Sequence, residues 1–303
     1  MRVVIALGGN ALLRRGEKPT VEVQRGHIQR AARAVAEVAR EHTVVVTHGN
    51  GPQVGLLAAR AIGQREADRA PLDVLGAESM GMIGYLIEQA LTNELPKQPI
   101  ATLLTQVEVR SDDPAFHNPT KPIGPVLTKN EAVQLSNRHG WSVAPEGDHY
   151  RRVVASPHPV RVLQSETIRL LVDQGVLVIC GGGGGIPVVF DESGTLSGVE
   201  AVIDKDRTAE LLARSLGADA LLLLTDVSAL QDRWGSPDAE PIKTAKPSQL
   251  RGMELAAGSM GPKVDSACRF VEAGLGFAGI GAIEDAAAIL RGEAGTIVRN
   301  GDV

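Results

Sequence analysis

Two lysines in this chain occupy positions at which a positive charge is unfavourable unless an anion lies nearby. Lys205 stands between Asp204 and Asp206 where an apolar run meets a predicted helix, and Lys263 stands in the first turn of another predicted helix. A lysine in a first turn opposes the helix dipole, so both positions favour a bound anion such as a phosphate. Plainer interpretations stay open: an ion pair and helix cap at Lys205, and a solvated surface side chain at Lys263.

Glycine-rich turns follow three of the predicted strands, at Gly8-Gly9-Asn10, at Gly49-Asn50-Gly51 and along the run 181–185. Glycine lets the backbone approach a ligand closely and turn consecutive N–H groups toward an anion. One such turn is a weak signal because tight turns often contain glycine, but three in one chain favour a phosphate site. The candidates for binding phosphate or substrate are Gly8, Gly9, Gly49, Asn50, Gly51, Gly183 and Gly184.

These glycines do not follow the common nucleotide-binding patterns. The chain has no Gly-x-x-x-x-Gly-Lys-[Ser/Thr] sequence, so it is not a P-loop protein. No Gly-x-Gly-x-x-Gly follows the first predicted strand, which argues against a nicotinamide-dependent dehydrogenase. We therefore expect lysine side chains to supply the positive charge that a phosphate group needs.

The elements that must position these residues alternate regularly. Apolar, β-branched runs predict strands at 3–7, 43–47, 176–180, 218–225 and 276–280. Helical spacing of apolar residues predicts helices at 21–42, 53–62, 72–95 and 207–216, and a further helix opens after 258–263. This alternation predicts an α/β protein whose mainly parallel sheet carries helices on both faces. Ligands bind beyond the carboxyl ends of such strands, where the glycine turns lie.

One segment interrupts the alternation. Residues 111–159 contain seven prolines in irregular sequence. A structureless loop of this length is unusual in a compact domain, so we predict one domain, 1–303, with a small inserted subdomain or lid at 112–160. A solvated spacer is the alternative, although it does not explain the strand-like piece 150–154. Lys121 lies in this segment between two prolines, and by itself it is equally well an ordinary surface residue.

Composition narrows the classes of function. The 303 residues include 31 Lys plus Arg and 36 Asp plus Glu, and only 3% are aromatic, so a nucleic-acid partner is not expected. No apolar run approaches the ~18 residues of a membrane span. The two cysteines, Cys180 and Cys268, indicate buried apolar residues in a reducing compartment. The first apolar run ends at Gly8 before a signal-peptide core can form, and we expect a cytoplasmic protein.

Six motifs of the chain resemble those of the carbamate kinases. They are ALGGNA at 6–11, HGNGPQVG at 48–55, NPTKPIGP at 118–125, GGGGIPVV at 182–189, AVIDKD at 201–206, and GSM with PK at 258–263. The resemblance implies the amino acid kinase fold, a three-layer αβα sandwich with a small protruding subdomain, and a homodimer. It also implies reversible conversion of ATP and carbamate to ADP and carbamoyl phosphate with Mg²⁺, usually run toward ATP in the breakdown of arginine or other ureido compounds.

One departure from the wider superfamily separates the candidate activities. Acetylglutamate kinases and their relatives carry a lysine where this chain has Ala6, and carbamate kinases use a lysine of the protruding subdomain instead. Here that lysine matches Lys121. Another acylphosphate kinase of the same fold is therefore disfavoured. A non-catalytic nucleotide sensor is disfavoured too, because no charged site residue has been lost.

The resemblance also assigns roles to residues. Its catalytic candidates are Lys121, Lys205, Lys263, Asp206 and Asn10, and its nucleotide-binding candidates are Thr225, Asp226, Val227 and Met260. We expect Asp206 to orient Lys205, although a magnesium ligand is the alternative. His48 is expected to be structural, since carbamate is already an anion and needs no general base. If these roles are right, the ammonium groups of Lys205 and Lys263 must converge near the glycine turns. The sequence does not set the physiological direction of the reaction.

Overall fold

The structure is a computed structural model that describes residues 1–9, 17, 20–60, 70–233, 236, 238–253 and 260–301. The strands in these ranges are β1 (Arg2–Leu7), β2 (Thr43–His48), β3 (Ile100–Thr102), β4 (Gln106–Val109), β5 (Lys121–Leu127), β6 (Val143–Glu146), β7 (His149–Val154), β8 (Pro159–Val162), β9 (Leu177–Ile179), β10 (Ile186–Phe190), β11 (Leu196–Gly198), β12 (Ala220–Thr225), β13 (Gln231–Asp232), β14 (Glu240–Pro241), β15 (Thr244–Ala245), β16 (Phe277–Ala282) and β17 (Thr296–Val298).

The α-helices in the same ranges are α1 (Val21–Ala39), α2 (Gly51–Arg60), α3 (Leu72–Glu94), α4 (Lys129–His139), α5 (Ser165–Asp173), α6 (Lys205–Ser215), α7 (Pro247–Leu250), α8 (Met260–Glu272) and α9 (Ala286–Leu290). Short 3₁₀ turns lie at Pro114–Phe116, Gly182–Gly184 and Ile283–Asp285. Within the described part of the chain, every helix is too short or too polar to cross a membrane.

The central sheet has the strand order β15-β17-β16-β12-β1-β2-β9-β3. Its neighbours pair in parallel except β16 and β17, which are antiparallel. Leu7 at the end of β1 is paired with His48 of β2 and with Leu224 of β12. The carboxyl ends of these three strands therefore lie side by side, and the turns that follow them meet at one edge of the sheet.

Two apolar clusters cover the two faces of this sheet. Successive side chains of a strand point to opposite faces. Val4 and Ala6 of β1 therefore pack with α5, α6 and α8 on one face, while Val3, Ile5 and Leu7 pack with α1, α3 and α9 on the other. The result is the three-layer αβα arrangement, and the prediction of a mainly parallel sheet covered on both faces is confirmed.

The proline-rich segment folds into regular structure. Strands β5, β7 and β6 form a three-stranded antiparallel sheet of their own, and β7 contains the predicted strand-like piece 150–154. Helix α4 joins β5 to β6. Thr128 and Glu131 form a capping box at its start, and Gly140 at φ +65° ends it. Strand β8 pairs instead with β4, in a separate four-stranded sheet with β10 and β11. The function of 112–160 as a lid stays a prediction.

Two local expectations about the segment of Lys205 were wrong. The apolar run before the helix was expected to be a strand, but residues 202–206 contain none; only Ala201 forms a bridge, with Ala155. Helix α6 begins at Lys205, two residues earlier than predicted, because the Asp204 carboxylate caps it by accepting the backbone N–H of Asp206.

Candidate active site

The first two glycine turns lie against each other at the carboxyl edge of the sheet. The backbone N–H of Gly8 donates to the carbonyl of Leu224 at 2.9 Å, and that of Gly49 donates to the carbonyl of Leu7 at 3.0 Å. A Cβ at position 49 would lie 2.9 Å from the backbone nitrogen of Gly9. Glycine at 49 is thus required for the two turns to pack. Gly51 begins helix α2 directly after them, and Asn10 lies outside the described residues.

The third glycine run reaches the same place by packing over Asn50. Gly183 has φ +66°, and a Cβ there would lie 2.1 Å from the Asn50 side-chain nitrogen. Gly184 has φ +94°, and a Cβ there would lie 2.4 Å from the carbonyl oxygen of Ile203. Both residues are buried. Internal packing and left-handed backbone therefore explain these two glycines, whether or not they also contact a substrate.

The Asn50 side chain is held in one orientation. The Ser79 hydroxyl donates to the carbonyl of Gly76 at 2.9 Å, so its oxygen is left to accept a hydrogen bond from the amide nitrogen of Asn50 at 2.8 Å. Because the Ser79 oxygen can only accept here, the end of the Asn50 amide that points to it must be the NH₂ group. Ser79 is fully buried. Sequence reasoning missed it because nothing in its local sequence points to the glycine turns.

Lys205 and Lys263 meet at the carboxylate of Asp206. The Lys205 ammonium contacts one carboxylate oxygen, and the Lys263 ammonium lies 3.2 Å from the other. Exposure of the side chains is 12% for Lys205 and 4% for Lys263 and Asp206. The two ammonium groups thus converge, as the expected roles require. Helix α6 is joined to the third glycine run, because the Thr208 hydroxyl donates to the carbonyl of Gly184 at 2.7 Å.

The electrostatics of this cluster are set by burial. Burial lowers the pKa of Lys205 to about 8; the neighbouring Lys263 acts in the same direction, and Asp206 opposes them. Lys205 therefore remains mainly protonated at pH 7, although burial makes its charged form unfavourable; a bound anion would stabilise that charged form. A phosphate group bound here would therefore interact strongly with the lysine.

Lys121 of strand β5 reaches the same helix end. Its ammonium lies 2.5 Å from one carboxylate oxygen of Asp204, whose other oxygen caps helix α6. Burial alone would raise the pKa of Asp204, but the charge and hydrogen bond of Lys121 outweigh it and hold that pKa well below its usual range. Asp204 therefore joins the site, although sequence reasoning gave it only a local cap or ion pair.

The predicted nucleotide side lies on neighbouring elements. Thr225 ends β12 beside the first glycine turn, and its hydroxyl donates to Asp226 at 3.0 Å. Asp226 is exposed and Val227 is half-buried. Met260 begins helix α8, which carries Lys263, and packs against the core cluster on that face of the sheet. Met260 thus shares a helix with Lys263, and Thr225 lies beside the first glycine turn; the role of these four residues in binding a nucleotide stays a prediction.

Among the described side chains, His48 and the two cysteines are unsuited to acid–base or nucleophilic chemistry near neutral pH. His48 is buried; its Nδ1 donates to the carbonyl of Gly49 at 3.1 Å, and burial lowers its pKa to about 4. Its ring is therefore neutral at physiological pH. Burial likewise raises the pKa of the Cys180 thiol to about 12 and that of Cys268 to about 11, so neither thiol forms a thiolate near neutral pH.

The arrangement as a whole can hold phosphate groups. Three lysines and two aspartates leave the cluster with one net positive charge close to the third glycine turn. Among the described residues, no group of three or more His, Cys, Asp or Glu side chains is placed to hold a metal ion.

Comparison with known proteins places this chain in a family. A model of the amino acid kinase family matches residues 1–276. A carbamate kinase of Rhizobium meliloti is 53% identical over 98% of this chain and 93% of its own, and one of Haemophilus influenzae is 51% identical over 98% and 96%. The solved carbamate kinase of Giardia lamblia bound to AMP-PNP aligns with a TM-score of 0.89 at 38% identity, covering 99% of this chain and 98% of its own.

Proposed function

The chain belongs to the carbamate kinases of the amino acid kinase family, and on that premise we propose that it transfers a phosphoryl group reversibly between ATP and carbamate. The observation that supports this most directly is the shared carboxylate of Asp206, which holds the buried ammonium groups of Lys205 and Lys263 together. Two cations so constrained suit a triphosphate chain. The AMP-PNP complex of the Giardia lamblia enzyme agrees with a nucleotide substrate.

In the direction of ATP synthesis, an oxygen of the ADP β-phosphate attacks the phosphorus of carbamoyl phosphate. The bond from that phosphorus to the carbamate oxygen breaks, and carbamate leaves as an anion. No proton has to move, so the neutral His48 is not required as a base. Catalysis then rests on orientation and on positive charge around the three equatorial oxygens of the moving group.

The three lysines supply this positive charge at different phosphate groups. We assign Lys205 and Lys263 to the phosphates of the nucleotide, with Asp206 orienting both ammonium groups. Lys121 meets the transferred group from the side of the insert, which acts as the lid. Backbone and side-chain donors for the transferred group and carbamate come from Gly9, Asn10, Asn50 and Gly51. Gly8 and Gly49 hold the two turns in place through their own backbone hydrogen bonds, and the turn at Gly183 and Gly184 supports them. Thr225, Asp226, Val227 and Met260 flank the adenine.

We expect Mg²⁺ to bind the site as a complex with the phosphates of the nucleotide. Both carboxylates of the site are engaged by lysines, Asp204 by Lys121 and Asp206 by Lys205 and Lys263. Mg²⁺ usually keeps several waters and is bound through substrate phosphates with one or two carboxylates. The donor set therefore fits a magnesium–nucleotide complex as the substrate better than a resident ion.

The wider role follows from the family resemblance. We propose that the enzyme works toward ATP in the breakdown of arginine or another ureido compound, as a cytoplasmic homodimer. Helix α3 is a candidate for the subunit contact because Met82 and Tyr85 are exposed on it. Synthesis of carbamoyl phosphate is the alternative direction, since one site catalyses both.

The test is to incubate the protein with ADP, Mg²⁺ and carbamoyl phosphate and to follow ATP by luciferase luminescence. ATP formation is expected, and it should fall by about 10²–10³-fold in Lys205→Ala, as on loss of a preorganised donor. ATP formation from acetylglutamyl phosphate instead of carbamoyl phosphate indicates the rival acylphosphate kinase. Nucleotide binding without turnover of either compound indicates a sensor.

A further inference from the structure

Asp204 joins the insert to the lysine cluster. One of its carboxylate oxygens lies 2.5 Å from the Lys121 ammonium at the start of β5, and the other accepts the backbone N–H of Asp206 at 3.0 Å. That backbone N–H lies in the first turn of α6, where the Asp206 side chain contacts the ammonium groups of Lys205 and Lys263. A single side chain thus spans the two halves of the site, which are 83 residues apart in sequence.

Capping alone does not explain a carboxylate at this position. Asn and Ser cap helices about as well as Asp, and neither requires a charge to be buried. The Asp204 side chain is only 10% exposed, and a buried charge is unfavourable unless it is paired. The pairing is supplied by Lys121. The contact with Lys121, rather than the capping of helix α6, therefore explains why position 204 carries an aspartate.

The ammonium of Lys121 can donate more hydrogen bonds than the one it gives to Asp204. A lysine ammonium has three N–H donors, and Asp204 takes one of them. The Lys121 side chain is 31% exposed, so it is not enclosed by the protein. The strand that carries it is fixed at a second point, because Gly124 packs so closely on α2 that a Cβ at Gly55 would lie 2.2 Å from its Cα.

We propose that Asp204 is a positioning residue for phosphoryl transfer, one that holds the Lys121 ammonium at the start of helix α6 before substrate arrives. This inference rests on the proposed function. A free lysine side chain would have to be ordered in the transition state, whereas a paired one is already in place, and small errors of placement lower turnover up to about a hundredfold. Asp204 contributes to turnover rather than to affinity, since its own charge repels phosphate.

The decisive variant is Asp204→Asn, because asparagine keeps the helix cap and removes only the charge. The expected result is a fall in kcat of about tenfold to a hundredfold with no rise in KM for carbamoyl phosphate, since the cluster gains one positive charge. Asp204→Ser, another good cap, is the second variant if asparagine does not fold. A kcat within threefold of the unaltered protein, or a rise in KM that exceeds the loss in kcat, overturns the inference.

A double-mutant cycle separates action through Lys121 from other effects. In a Lys121→Ala background, Asp204→Asn should lower kcat by less than about threefold, because its target is already gone. An equal loss in both backgrounds overturns the inference. Glu200→Gln is the matched control: it keeps an acceptor for the N–H of Leu72 and removes the 4.0 Å ion pair with Arg152 of the insert. It should leave kcat within twofold, and a loss as large as that of Asp204→Asn shows general loosening instead.

Labelling of Lys121 tests the contact without any turnover. An amine-modifying reagent such as trinitrobenzenesulfonate, followed by peptide mass spectrometry, should label Lys121 at least threefold faster in Asp204→Asn than in the unaltered protein. The exposed Lys129 provides the internal reference. Unchanged labelling overturns the inference. If the unaltered protein makes no ATP from carbamoyl phosphate, the proposed function fails, and the labelling result still decides whether Asp204 holds Lys121.

Discussion

The carboxylate of Asp206 should be the most sensitive charged position for stability. In Asp206→Asn, the ammonium groups of Lys205 and Lys263 lose the anion that they share, while both stay in surroundings that exclude water. Removal of one partner from a buried ion pair destabilises proteins by about 3–5 kcal/mol. Already in the unaltered protein, burial lowers the pKa of Lys205 from 10.5 to about 8, a difference that corresponds to about 3 kcal/mol.

The pH dependence gives this prediction its sharpest form. Loss of Asp206 removes an interaction that raises the pKa of Lys205, so that pKa falls below 8. Between the lowered pKa and 10.5, the unfolded chain binds a proton that the folded chain does not, and stability therefore rises with pH. Between pH 7 and 8 the variant, in which Lys205 folds neutral, should recover up to about 1.4 kcal/mol. The unaltered protein, in which Lys205 loses only part of its proton by pH 8, should recover less.

The assay is urea unfolding followed by far-UV circular dichroism at pH 7 and pH 8. Asp112→Asn is the matched control, because it makes the same chemical change in an exposed pair with Arg110 and should leave the midpoint unchanged. The reasoning is refuted if Asp206→Asn unfolds within about 0.5 kcal/mol of the unaltered protein at pH 7, or if its deficit is the same at both pH values.

Three further outcomes are expected. Because the pKa of Lys205 is about 8 and the charged form binds nucleotide, kcat/KM for ADP should fall above about pH 8; a flat profile to pH 9.5 contradicts this. Gly183→Ala and Gly140→Ala both place alanine at positive φ, and this backbone strain should lower the free energy of unfolding by about 1–2 kcal/mol in each, measured by denaturation. Only the alanine at 183 also meets a neighbour, Asn50, so only that variant should lose ATP formation. His48, with a pKa of about 4 against 6.5 when unfolded, should make stability rise between pH 4 and 6.5, and His48→Gln should flatten that slope; an unchanged slope contradicts burial of a neutral ring.

Local chemistry explains which features were open to sequence reasoning. Strand–helix alternation follows from residue periodicity, so five of the eight strands of the central sheet and helices such as α1 and α3 were predicted close to their observed bounds. The short strands β3, β15 and β17 were not predicted. The predicted start of α6 was two residues too late, although a helix cap at this position had been left open; the Asp204 side chain caps the helix at Lys205. The three glycine turns and the lysines at 205 and 263 were singled out because these residue types need a specific reason in such places. Lys121 was singled out only by the family resemblance.

The sequence by itself therefore determined the α/β architecture with helices on both faces of a mainly parallel sheet, the edge of the sheet at which the glycine turns meet, and the residue types proposed to bind phosphate. Only the tertiary structure decided the partners: Lys121 with Asp204, Lys263 with Asp206 across 57 residues, and Asn50 with Ser79 across 29. It also showed that Gly183 and Gly184 are needed for packing. The physical reason is that strand order and helix packing set which distant side chains meet, and no local spacing carries that information.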